Sequence, residues 1–176
     1  MNLKGIHHSA FRCRDAEETR AFYEDLLGLP LAAVVAEEFE PGSKAPHPFV
    51  HLFFKMGDGN YFAFFDAPSS VKPDSFAVPH GFDRHVAFEA ENEAALADWQ
   101  AKFKAADVPC FGPIDHHFVK SIYFWDPNGI PLEITARVAG HDAIMATEAR
   151  GARAVIDAWT ARKAAAANTN ELSSRP

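Results

Sequence analysis

Two histidines of this chain sit in matching phrases, His7-His8-Ser9-Ala10-Phe11 and Arg84-His85-Val86-Ala87-Phe88, with His8 and His85 77 residues apart. A glutamate closes a third phrase, Phe124-Trp125-Asp126-Pro127-Asn128-Gly129-Ile130-Pro131-Leu132-Glu133-Ile134. That phrase also has a counterpart, Asp58-Gly59-Asn60-Tyr61-Phe62-Ala63-Phe64, in which Ala63 stands where Glu133 does. Two neutral imidazoles and one carboxylate leave coordination positions open on a divalent ion, so His8, His85 and Glu133 suit a metal that must also hold a substrate. A duplicated β-module would bring these three distant residues together around one ion.

The elements around these residues repeat in order. Gly5 to Cys13 alternates as a strand, with Ile6, His8, Ala10 and Arg12 on one face and His7, Ser9, Phe11 and Cys13 on the other. If Phe11 and Phe88 pack against helices, His8 and His85 face the opposite, open side, and His7 becomes structural. Asp15 followed by Glu18 is a helix-start signal; Phe22, Tyr23, Leu26 and Leu27 keep helical spacing, and Gly28 with Pro30 ends the run. Leu31 to Ala36, Phe49 to Met56 and Asn60 to Asp66 read as strands, the first followed by a Pro-rich excursion from Glu40 to Pro48. The acidic stretch Glu37-Glu38-Phe39-Glu40 reads as a solvated edge.

Ala67 to Gly81 is a connection rich in Pro and Ser. The order then recurs: strand Arg84 to Ala90, helix Glu93 to Ala106, and strands Val108 to Phe111, Ser121 to Trp125 and Pro131 to Arg137. This predicts an α+β fold of two tandem βαβββ modules, about residues 1–67 and 82–139, within one domain spanning 1–139. Residues 140–176 form a C-terminal helix, His141 to Ala167, and a frayed polar tail. Trp159 on that helix is expected to pack on the domain or on a neighbouring subunit.

Bulk properties narrow the function. The 176 residues are 48% apolar and 23% charged, enough for one domain with a sizeable core. A net charge of −7 without clustered Lys or Arg speaks against a nucleic-acid partner. Nothing in the sequence is long and apolar enough to span a membrane. The start has no secretory pattern, and Cys13 and Cys110 make no disulfide framework, so the expected location is the reducing cytoplasm. The 16 phenylalanines should mostly form core, with some lining an apolar pocket.

The phrases His7-His8-Ser9-Ala10-Phe11, Ala21-Phe22-Tyr23-Glu24-Asp25-Leu26-Leu27-Gly28 and Phe124 to Gly129 with Leu132-Glu133-Ile134 give the chain a family likeness. It resembles the vicinal oxygen chelate superfamily of glyoxalases, extradiol ring-cleaving dioxygenases, fosfomycin-resistance thiol transferases and bleomycin-binding proteins. The resemblance covers residues 5 to 137. It implies a cup-shaped mixed sheet around a metal and, in ligand pattern, a type I extradiol dioxygenase. There His8, His85 and Glu133 would bind the metal, Fe(II) first, with Mn(II), Ni(II) or Zn(II) as alternatives.

Further roles follow from the same resemblance. Tyr123 would contact the bound substrate, and His116 or His117 would act as acid-base catalyst, the sequence leaving the choice between them open. Implied partners are a small aromatic diol, O₂ and a second copy of the chain in a homodimer. Phe62, Phe64 and Phe118 would wall the aromatic ring, and His51 would be a pocket wall or a supporting residue. Two other readings remain: a metal-dependent lyase, isomerase or thiol transferase, and a non-catalytic small-molecule binding protein. Asp126-Pro127-Asn128-Gly129 reads as turn chemistry alone.

Overall fold

The alternation of apolar residues along the strands explains how this chain divides into two sheets with a shared core. A computed structural model describes residues 5–39, 44–70, 76 and 84–173, with side chains described as far as residue 162. In the first module, β1 (His8–Cys13), β2 (Leu31–Phe39), β3 (Pro46–Lys55) and β4 (Tyr61–Asp66) form a sheet in the order β1-β4-β3-β2. In the second, β5 (Val86–Glu89), β6 (Cys110–Asp115), β7 (Val119–Trp125) and β8 (Pro131–Arg137) take the order β5-β8-β7-β6. β1 runs parallel to β4, and β5 to β8; the remaining pairs are antiparallel. The duplication extends to register, since Ala10 lies beside Ala63 and Ala87 beside Glu133. The expected α+β architecture of two βαβββ modules is the one observed.

Helix α1 (Ala16–Arg20) starts where the sequence predicts, with the Asp15 carboxylate accepting from the Glu18 amide at 2.7 Å. It continues as a π-helical turn over Ala21–Leu26 and stops at Gly28, whose φ of +78° suits a residue without Cβ. α2 (Ala94–Ala105) is its counterpart. Several strands begin or end away from their expected limits. β3 opens at Pro46, inside the expected excursion, and β6 extends through Gly112 to Asp115. At Gly112, φ is +111° and a Cβ would lie 2.7 Å from the Ser121 carbonyl oxygen, so only glycine fits this irregular step. Residues 40–43, 71–75 and 77–83 of the two connecting stretches lie outside the described residues.

The core lies between the modules. Tyr23, Phe54, Phe62 and Phe64 of the first, and Phe103, Ile122, Phe124 and Leu132 of the second, are almost fully buried in one cluster. Ring contacts at 6.4 Å (Phe22 to Phe124) and 5.4 Å (Phe62 to Phe88) cross from module to module. Each such side chain contributes about 1.5–3 kcal/mol on burial, so the helix-side faces of the two sheets hold each other in place. Phe62 and Phe64 therefore do not wall a substrate pocket. Their strand positions put them on the Phe11 side, and the aromatic residues on the His8 side include Phe53, Tyr61 and Phe65.

Asp126-Pro127-Asn128-Gly129 does more than turn the chain. Asn128 accepts from the Arg14 amide at 2.8 Å and donates to the Thr19 hydroxyl at 3.2 Å, while the Tyr23 hydroxyl donates to Asp126 at 3.1 Å. The turn of the second module is thus latched to the helix of the first. Burial pushes the Asp126 carboxyl up, against hydrogen bonds from Ile130, Asn128 and Tyr23 that pull it down. Replacing Asn128 by Ala strands the Arg14 amide and should cost about 1–3 kcal/mol. A lower urea midpoint at unchanged m-value checks this.

Helix α3 (His141–Ser173) leaves β8 through Gly140 and continues as regular backbone into the expected tail as far as Ser173. His141 donates from Nδ1 to the Phe118 carbonyl at 2.7 Å, anchoring its start. Val155, Ile156 and Trp159 remain more than half exposed. Trp159 therefore does not pack on its own domain; its described ring partner is the Arg162 guanidinium, 5.5 Å away.

Candidate metal centre

Parallel pairing of β5 with β8 brings two of the proposed ligands together. Glu133 is the register partner of Ala87 on one side and Tyr123 on the other, so the three point to one face. His85, two residues before Ala87, joins that face, and its Nε2 lies 2.9 Å from a Glu133 carboxylate oxygen. Glu133 is buried, and among the described residues no Lys or Arg pairs with it. A buried carboxylate and an imidazole nitrogen on one face, with no Lys or Arg at the carboxylate among the described residues, are donor types that suit a divalent ion. Those two residues fit such an ion.

Tyr123 and His116 extend the group. The Tyr123 hydroxyl lies 2.7 Å from His116 Nε2, and the Tyr123 ring stands 6.2 Å from that of His85. Burial, then the nearby Glu133 charge, pushes the Tyr123 phenol up, so it is protonated at neutral pH. His117 sits differently: its φ is +70°, its amide donates to Asp115 at 2.7 Å, and its side chain is exposed. The tight turn aims one histidine at the tyrosine and the next one away.

His8 is not with them. It is exposed near the start of β1, with Nδ1 2.9 Å from His7 Nδ1, and its ring neighbours are His7, His51 and Phe53. Among the described residues, no three His, Cys, Asp or Glu side chains are placed to hold one ion. His7 is exposed as well, touching His8 and Tyr61, and so takes no place in the core. His51 proves to be part of the His8 wall: it stacks on Phe65 at 3.7 Å, and its buried Nε2 has no hydrogen-bond partner among the described residues. Burial, then the neighbouring His8, lowers its pKa, which keeps it neutral. Its alternation with Val50 and Leu52 was the one available signal, and it could not say which face was open.

The packing explains the separation. With their helix-side faces buried against each other, the modules turn the His8 face and the Glu133 face outward, and β1 and β5 are both edge strands. Among the described residues no helix is long and apolar enough to cross a membrane.

The chain is 28% identical over 143 residues to the uncharacterized protein YwkD of Bacillus subtilis, covering 76% of this chain and 98% of that protein. It is 26% identical over 140 residues to the uncharacterized protein YaeR of Escherichia coli, covering 76% and 97%. Its fold matches the crystal structure of a mutant of the fosfomycin resistance protein FosX of Listeria monocytogenes, complexed with Mn(II) and 1S,2S-dihydroxypropylphosphonic acid. The TM-score there is 0.54 at 16% identity, with 76% of this chain and 92% of that one covered. The family model of the Glyoxalase/Bleomycin resistance protein/Dioxygenase superfamily matches residues 5–134. With its duplicated modules, their matching register and this span of residues, the chain belongs to the glyoxalase/bleomycin resistance protein/dioxygenase superfamily, the vicinal oxygen chelate proteins.

Proposed function

We propose that this protein is an Fe(II)-dependent extradiol dioxygenase that cleaves a catechol-type ring, acting as a homodimer whose metal site is shared between copies. The observation that carries this reading is the contiguous set His85, Glu133, Tyr123 and His116 on one open face. A homodimer supplies what that face lacks. Docked edge to edge, β1 of one copy would bring His8 to the His85 and Glu133 of its partner. Self-complementary contacts of this kind are the commonest route to closed dimers.

In this reading His8, His85 and Glu133 hold the ion, which supplies acidification of the diol and a common centre for diol and O₂. Mn(II), Ni(II) and Zn(II) suit the same donors, so supply and geometry select among them. The chain's own residues do the rest. Tyr123, held protonated, donates to a substrate oxygen and fixes the ring's orientation. His116, in contact with the Tyr123 hydroxyl, takes and returns the proton that moves during ring opening. His51, Phe53 and Phe65 make an apolar wall on the His8 face, which excludes water once the faces meet.

Anaerobic Fe(II) loading followed by a panel of catechols in air should give a yellow ring-fission product and O₂ uptake in equal amounts. Bound iron with no product from any diol would sink the proposal. His116→Phe should keep the metal and lose about a hundredfold in kcat, as single-turnover kinetics would report. A second reading, a manganese-dependent transferase or lyase without O₂ chemistry, draws on the likeness to FosX with its Mn(II). Oxygen consumption separates the two.

A further inference from the structure

A cavity of about 310 Å³ opens beside His85, between the end of β1 and the start of β5. Its walls are apolar at Phe11, Val86, Ile130 and Pro131, and cationic at Arg12 and Arg84. The arginines on and beside the strands are otherwise neutralised: Arg14 pairs with Glu18, and Arg137 with Glu89. Among the described residues, Arg12 donates only to the uncharged Ser70 hydroxyl, and Arg84 has no hydrogen-bond or ion-pair partner. Two guanidiniums with no acidic partner among the described residues thus line the same cavity as a proposed metal ligand. That local sign is opposite to the chain's net charge of −7.

We propose that Arg12 and Arg84 form an anion subsite that binds the carboxylate of an aromatic acid. The planar guanidinium fork matches a carboxylate in two parallel hydrogen bonds. The apolar walls take a ring, and the volume is at the small end for ligand pockets, roughly 300–1,000 Å³. His85, whose Nε2 meets Glu133, also lines this cavity, so an acid anchored here lies beside a proposed metal ligand. The assignment of this acid as the substrate of the metal site, a carboxylated catechol, rests on the proposed function; the anion subsite itself rests on the cavity and its two cations.

The test is calorimetric titration of the whole protein with benzoate, benzyl alcohol and inorganic phosphate. Benzoate should bind at least about tenfold more tightly than benzyl alcohol, and weaken with salt. Arg84→Gln and Arg12→Gln should each lose roughly ten- to hundredfold in benzoate affinity, with Arg84→Lys between them and wild type. Both residues are exposed, so the variants should retain the wild-type melting temperature. Benzoate binding equal in Arg84→Gln and wild type, or no tighter than that of benzyl alcohol, overturns the subsite. Displacement of benzoate by a lower concentration of phosphate overturns the carboxylate assignment. Benzoate binding without ring fission of any diol retires the oxygenase reading and leaves the subsite standing. Ring fission of catechol and 3,4-dihydroxybenzoate with equal kcat/KM keeps the oxygenase reading and overturns the assignment of a carboxylated catechol as its substrate.

Discussion

Co-expressed His8→Ala and His85→Ala chains, each inactive alone, should together recover about a quarter of the wild-type activity. In one chain the His8 face and the Glu133 face are turned outward by the shared core, and no three donors gather among the described residues. A site made from two copies takes His8 from one and His85 with Glu133 from the other. In a mixed dimer one of its two sites then carries both substitutions, and the other carries neither. Random pairing makes half of all dimers mixed, hence a quarter of the sites intact. Differently tagged chains, purified sequentially, would isolate the mixed dimer and should raise the recovery to about half per dimer. Zero recovery in that purified heterodimer, with wild-type chains active as tagged, would place the whole site within one chain and reject the shared arrangement.

Glu133→Ala should abolish metal retention and lower activity by more than about a thousandfold, beyond the ten- to hundredfold typical of residues that only support a ligand. Glu133 is buried with His85 at 2.9 Å and has no competing Lys or Arg among the described residues. Its removal takes away the single anionic donor and leaves imidazoles that hold the ion weakly. Elemental analysis of protein purified without chelator checks the first effect, and a stopped assay the second. The substitution should not unfold the chain, because an alanine already occupies the matching position, Ala63, in the first module. If Glu133→Ala retains stoichiometric metal, the assignment of this face as the metal site fails.

Much of this was legible in one dimension. The phrases around His8 and His85 predicted a duplication, and the register of Ala10 with Ala63 and Ala87 with Glu133 realises it. Period-two alternation put Phe11 and His8 on opposite faces, which the aromatic contacts bear out. The Asp15 cap and the Gly28 stop are local chemistry and lie where the sequence predicts. The same logic failed at Phe62 to Phe65. A continuous apolar run carries no contrast between faces, so Phe62 and Phe64 were expected at the pocket although they fill the core. The Asp126 turn hid its second role because its partners, Arg14, Thr19 and Tyr23, lie more than a hundred residues away in sequence.

Residue types and spacing by themselves determined the two modules, the family likeness, and the donors that suit a metal. These depend on hydrogen-bonding period and side-chain chemistry, which are properties of short segments. Tertiary structure alone decided that His116 meets Tyr123 while His117 turns away, and that His8 stands apart from His85 and Glu133. It also gathered Arg12 and Arg84 on one cavity. The physical reason is that each module has a helix-side face that must be buried, and its apolar pattern does not specify which other face will cover it. Packing made that choice, and with it the direction in which every polar group on the opposite face points.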